Sequence, residues 1–166
     1  ALPIYYESLA AKELHVIPTE AVVDDWLTAW LKEELRQYDV RKVGADPYLA
    51  QHQIESLTAA GYEVVHITQS NNRLLTPVIE DYEARVRQKR LLHGPNVLMD
   101  WQVGCTRVFS TSKDTKKLVK MNSNLRGKGG IGHIDNIDAA INALAVLRVE
   151  EIDEAANGQN SGGITE

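Results

Sequence analysis

The sequence predicts a single α/β domain, and three observations carry that prediction. A strand, helix, strand order is written into residues 40 to 68, and a strongly amphipathic helix opens near Ile134. The third is size: 166 residues, 43% hydrophobic and 25% charged, suit one core of ordinary globular composition and leave too little chain for two.

Taken in order, "IYYESLAAKELHVIP" reads as a short helix or turn followed by an extended segment ending at Pro18. Thr19 then suits the N-cap of a helix through "EAVVDDWLTAWLKEELRQY". There Val22, Val23, Trp26, Leu27, Trp30, Leu31 and Leu35 recur at helical spacing and are expected to face the core. "VRKVGAD", Val40 to Asp46, reads as a strand that stops at Asp-Pro, because a residue before proline is pushed out of helical geometry. "LAQHQIESLTAAG" is a helix closed by Gly61, and "YEVVHIT" is a second strand. Strands joined by a helix of this length should be parallel with a right-handed crossover. Asp46 therefore ends a strand at the sheet edge where open α/β folds place their sites.

After the polar link "SNNR" comes a charged helix through "LLTPVIEDYEARVRQKR". "LLHGPNVLMDWQVG" holds a His-Gly-Pro turn and a short helix carrying Trp101, and "TRVFSTS" and "KKLVKMN" pair as strands around "SKDT". The last helix is expected from about Ile134 to about Val149, with Ile134, Ile137, Ile141, Leu144 and Leu147 inward. The domain then occupies residues 1–149. Residues 150–166, which lose apolar periodicity and are rich in Gly, Ser and Asn, read as a disordered polar tail.

No apolar run approaches bilayer length, and the start of the chain lacks the layout of a signal peptide, so an intracellular protein without a membrane partner is expected. The lone Cys105 has no internal disulfide partner and reads as buried and inert. A net charge of −5 argues against a general basic coat, yet it conceals a local patch. Lys113, Lys116, Lys117, Lys120, Arg126 and Lys128 stand against Asp114 alone between residues 113 and 130. "GKGGIG", Gly127 to Gly132, matches a dinucleotide-binding pattern, but no second strand and acidic residue follow its helix. Gly127-Lys128 likewise lacks the Ser or Thr and the spaced glycine of a P-loop.

His15, His52, His66 and His93 show no zinc spacing and read as structural or surface residues. His133 differs because Asp135 and Asp138 follow it at the start of the last helix, three residues apart and on one face. Such neighbours repel unless a cation compensates them. Together with the strand-end Asp46 they form an oxygen-only donor set, which suits Mg²⁺ or Mn²⁺ rather than zinc. Beside a basic loop, this is how a two-metal phosphodiester-cleaving site is arranged.

The ordered run of these segments resembles the C-terminal nuclease domain of the large terminase subunit of tailed bacteriophages. The resemblance rests on "YDVRKVGADPYLAQHQIESLTAAGYEVVHITQ", "LLHGPNVLMDW", a lysine-containing loop and "HIDNIDAAINALAVL", together spanning about residues 13 to 148. It implies an RNase H-like fold, with a mixed central sheet flanked by helices. It also implies a metal-dependent endonuclease that cuts concatemeric viral DNA during packaging, using Mg²⁺ or Mn²⁺, two ions in all. Asp46 in "GADPY" matches the family's strand-end metal ligand, and the register to Ala139 and Ala143 puts the last-helix ligand on Asp135. Asp138 and His133 would assist, and Lys113, Lys116, Lys117, Lys120, Arg126 and Lys128 would contact phosphates. Implied partners are double-stranded DNA, the terminase ATPase domain, the small terminase subunit and the portal, in the cytoplasm of an infected or lysogenic bacterium. The family's further first-strand aspartate has no counterpart here, so the chain is expected to be a fragment lacking its first strand or strands. Two other expectations compete: a catalytically inert DNA-binding or docking module of the packaging motor, and another RNase H-like nuclease of resolvase or transposase type.

Overall fold

The structure is a computed structural model and describes residues 3–17, 24–48, 50–110, 114–121 and 133–160. The elements follow as α1 (Pro3–Ala10), α2 (Asp24–Leu35), β1 (Lys42–Ala45), α3 (Gln51–Ala59), β2 (Glu63–His66), α4 (Asn72–Arg87), α5 (Val97–Cys105), β3 (Thr106–Ser110), β4 (Lys116–Lys120) and α6 (Asp135–Asn160). β1 and β2 are parallel, with Lys42 opposite Glu63 and Ala45 opposite His66, as the strand, helix, strand order requires. α3 ends in a Schellman motif: Gly61, at φ +94°, turns the chain while the Tyr62 N–H donates to the Leu57 carbonyl and the Gly61 N–H to that of Thr58. A Lys42–Glu63 ion pair at 3.1 Å ties the two strands together on the surface. β3 and β4 form an antiparallel hairpin, Thr106 opposite Lys120. Both strand orientations of a mixed sheet are thus present, but among the described residues they form two separate two-stranded sheets.

α4 and α6 join those sheets. Ile67, Leu75, Val78, Ile79, Ile137, Ile141, Ala145 and Val146 form one buried cluster between them, with Val65, Tyr82, Met99 and Leu118 around it. Each fully buried isoleucine or valine there contributes roughly 1.5–3 kcal/mol of transfer free energy. The backbone of β1 lies hard against α6: a Cβ on Gly44 would stand 2.7 Å from Val146 Cγ2 and 2.9 Å from the Asn142 carbonyl oxygen. Only glycine permits that approach. On the far side, α1 packs on α5, and the Glu13 carboxylate accepts the first N–H groups of α5 from Val97 (3.1 Å) and Leu98 (3.2 Å).

Two expectations about packing need correction. In α2 only Thr28 is buried and Trp26 is 38% exposed, because this helix packs chiefly on α3 at the edge of the molecule. Trp26 and Trp30 stack on each other instead, 6.3 Å apart with nearly parallel planes, with His15 against Trp30; Val22 and Val23 lie outside the described residues. In α6 the inward stripe runs Ile134, Ile137, Ile141, Ala145 and Val146, while Leu147 is 52% exposed. The true 3.6-residue period carries the stripe past Leu147.

α6 also continues to Asn160, so residues 150–160 are helical rather than an irregular tail. "EEIDEAAN" is built largely of Glu and Ala, good helix formers, and extending a helix already nucleated by packing needs no new nucleus. Residues 161–166 lie outside the described residues.

Candidate active site

Asp46 follows β1 directly, and its carboxylate accepts the Tyr48 N–H at 3.1 Å, fixing the turn into Pro47. Strand alternation places it on the face that Gly44 turns toward α6. β1 and α6 run in opposite directions, since Gly44 meets Asn142 and Val146 while Arg41 shares a pocket with Leu147, Arg148 and Glu150. Two strand residues advance about 6.6 Å, a little over four residues of helix, so Asp46 lies toward the first turns of α6, the end that carries Asp135 and Asp138. Gln69, just past β2, spans the same gap by donating to Asn142 Oδ1 at 3.0 Å.

The start of α6 is held from outside itself. Gln102, buried in α5, accepts the Asn136 N–H at 2.6 Å and so satisfies one of the first-turn donors. Asp135 is therefore not needed as a cap. Its exposed carboxylate lies 3.6 Å from His133 Nδ1, and the His133 ring sits against Tyr5 and Trp101 at 6.3 and 6.5 Å. Asp138, one turn further along, lines an open pocket of about 250 Å³ shared with Gln69, Asn72, Lys116, Lys117 and Lys120. Burial pushes the Asp138 carboxyl pKa up, the neighbouring Asp135 charge adds to this, and Lys120 opposes it. The like-charge conflict expected from their spacing is therefore real, and it falls on Asp138.

The basic patch divides. Lys113, Arg126 and Lys128 lie outside the described residues. Lys117 and Lys120 are exposed on β4 beside the Asp138 pocket. Lys116 is engaged internally, with Nζ 3.0 Å from Glu83 and 3.5 Å from Glu80, and the hydrogen bond to Glu83 is the main reason its pKa is raised. A lysine held by two carboxylates of α4 is poorly placed to hold a phosphate as well.

Among the described residues no group of three or more His, Cys, Asp or Glu side chains stands close enough to hold a metal ion. Asp135 and Asp138 meet at the helix start, with Asp46 on the facing strand end, and an ion there would need further oxygens. Sequence reading missed four residues that build this corner: Gly44, Gln69, Asn72 and Gln102. "SNNR" carried a signal in Asn71, whose side chain caps α4 by accepting the Leu74 N–H at 3.2 Å. Nothing local marked Gly44, Gln69 and Gln102, whose partners lie 34 to 102 residues away along the chain. His52 stands near Asp25, His93 near Asp100 and His15 against Trp30, whereas His66 pairs with Ala45 at the end of β1, beside Asp46.

A parallel β1–α3–β2 unit with an aspartate at its carboxyl end, facing a long helix that opens on aspartates, is the arrangement expected of an RNase H-like domain. The family model for the terminase large subunit endonuclease domain matches residues 13–151, and the chain belongs to that family. The fold agrees with a solved structure, the crystal structure of the HK97 bacteriophage large terminase. The two share a TM-score of 0.70 at 17% identity over 86% of this chain. The chain spans 28% of the length of that protein. No curated protein matches the chain in sequence. No helix among the described residues is long and apolar enough to cross a membrane.

Proposed function

We propose that this chain is the divalent-metal-dependent DNA-cutting domain of a phage packaging terminase, acting on concatemeric double-stranded DNA beside an ATPase domain, a small subunit and a portal. The observation that carries this reading is the polar corner at the start of α6, where half-buried Asp138 lies beside Lys117 and Lys120, with Asp46 ending the strand that packs against the same helix. Asp46, Asp135 and Asp138 would hold Mg²⁺ or Mn²⁺, two ions in the complete site, because an all-oxygen set suits hard cations. When bound, such ions supply an activated water and stabilise the leaving oxygen. The chain's own residues do the rest. Lys117 and Lys120 draw the phosphate backbone toward the carboxylates, and His133 holds Asp135 at the helix start. Such contacts read no bases, so cutting should depend weakly on sequence and strongly on salt.

Nicking of supercoiled plasmid in Mn²⁺ tests the reading. Asp46→Asn, Asp135→Asn and Asp138→Asn should each slow cutting by about 100-fold or more, the scale of losing a metal-site group. Cutting by all three at the wild-type rate would remove the assignment.

A second reading, an inert DNA-binding or docking module of the motor, is favoured by one observation: the described carboxylates do not close into a three-ligand group. Under it, the chain would bind DNA in a salt-dependent way and leave it uncut at any Mn²⁺ concentration. A cut confined to branched duplexes would instead point to a resolvase-like enzyme.

A further inference from the structure

We propose that the outer face of the β3–β4 hairpin grips a single DNA strand, Phe109 stacking on an unpaired base while Arg107 and Lys117 hold phosphates; this rests on the DNA-cutting reading above. The hairpin has two unlike faces. Val108 and Leu118, opposite each other on the ladder, pack against the core. Strand alternation therefore puts the neighbouring pairs, Phe109 opposite Lys117 and Arg107 opposite Val119, on the other face. All four residues are exposed, Phe109 by 57%.

Three features suit this face to a nucleic acid strand. It carries two cations and no carboxylate, in a chain whose acidic residues outnumber its basic ones by 23 to 18. Asp114, the acid nearest in sequence, precedes β4 and does not lie on it. Second, neither Arg107 nor Lys117 has an ion-pair partner among the described residues, whereas Lys116, on the inner face, is claimed by Glu80 and Glu83. Third, the aromatic ring stands directly across the ladder from one cation and two residues along the strand from the other. Sheet surfaces that bind single strands combine the same groups: the ring offers its face to any base and the cations meet the backbone on either side. Bases inside a duplex are covered by their neighbours, so stacking on Phe109 selects an unpaired one. The face also adjoins the candidate site, since Lys117 both flanks Phe109 and lines the Asp138 pocket. A strand held across the hairpin is thereby held beside the start of α6.

The test is binding of a fluorescent oligothymidylate single strand, and of a duplex of equal length, to the full chain in EDTA, read by anisotropy over a salt series. Phe109→Ala should weaken single-strand binding about tenfold, within the range for losing one base-stacking ring, and leave the salt slope and duplex binding unchanged. Phe109→Leu, which keeps apolar bulk and loses the ring, should weaken it as well, and so separates lost stacking from any loss of folding. Phe109→Trp, which keeps a stacking face, should bind the single strand like wild type. Arg107→Ala should lower the single-strand salt slope by about 0.7, one phosphate contact. Wild-type single-strand affinity in Phe109→Ala and Phe109→Leu, while Lys120→Ala weakens duplex binding, would overturn the role of this face, leave the DNA reading standing and point to a protein partner for Phe109. An equal loss on the duplex would overturn the selection of an unpaired base. If wild type binds neither single strand nor duplex, the DNA reading itself fails and this inference goes with it.

Discussion

The first turn of α6 carries two neighbouring aspartates, and their surroundings differ. On one side Asp135 lies in solvent against His133, which is itself wedged by the aromatic rings of Tyr5 and Trp101. On the other side Asp138 is half-buried in a polar pocket walled by α4 and β4. Their three-residue spacing promised two equivalent charges on one face. A helix embedded between unlike neighbours does not keep that equivalence: desolvation falls on one carboxylate and hydration on the other. Chemical specialisation of the pair thus comes from packing, not from the motif.

Each side depends on one contact that can be broken separately. Gly44→Ala attacks the pocket side, because the added methyl would meet Val146 and the Asn142 carbonyl and push β1 from α6. A loss of about 1–3 kcal/mol is expected in urea denaturation, with Mn²⁺ binding weakened because the end of β1, with Asp46, moves away from the start of α6. Gln102→Ala attacks the aromatic side by leaving the Asn136 N–H without its acceptor. That should cost about 1–2 kcal/mol, near the lower part of the range for an orphaned donor, since the helix start is partly open to water. A Gly44→Ala protein as stable as wild type would mean that α6 slides freely, and the register argument for Asp46 would fall.

How much of this was legible in the sequence follows from the range of the forces involved. The strand, helix, strand unit, the hairpin and the start of α6 are dictated by local periodicity, and each was readable. Asp46, Asp135, Asp138 and His133 could be singled out because chemistry is a property of residue type. What could not be read was partnership at a distance. Nothing in "DDWLTAWL" says that the helix will sit at the rim with its tryptophans on each other. Nothing in "KKLVK" says that the first lysine will be claimed by Glu80 and Glu83 of α4. The burial of Asp138 needs three elements to be in place before it exists.

The lysines provide a smaller contrast within the pocket wall. Lys120 and Lys117 should contact phosphates, and replacing either by alanine should reduce the slope of log binding constant against log salt by about 0.9 for duplex DNA. Lys116→Ala should leave that slope unchanged, because Glu80 and Glu83 already neutralise it. Fluorescence anisotropy over a salt series separates the two. Equal slopes for Lys116→Ala and Lys120→Ala would show that β4 presents all three lysines alike.

The smallest effect is the one that reads the asymmetry most directly. Burial and the Asp135 charge raise the Asp138 pKa in the folded chain, so the folded state holds that proton more tightly than the unfolded one. Its contribution to stability is therefore fully present below the unfolded value, near 3.9, and is lost as pH rises through the folded value. In EDTA at pH 7 Asp138→Asn should be more stable than wild type, and the gain should vanish below about pH 4, where both proteins are neutral at this position. Added Mn²⁺ should reverse the order, stabilising wild type alone, since a ligand that binds only the folded state raises its stability. Asp135→Asn serves as the contrast, with a smaller gain that acts by removing the repulsion on Asp138. Thermal melts from pH 4 to pH 8 with and without Mn²⁺ would decide it. An Asp138→Asn protein less stable than wild type at neutral pH in EDTA would mean that the carboxylate is well solvated, and the two sides of the turn would be alike after all.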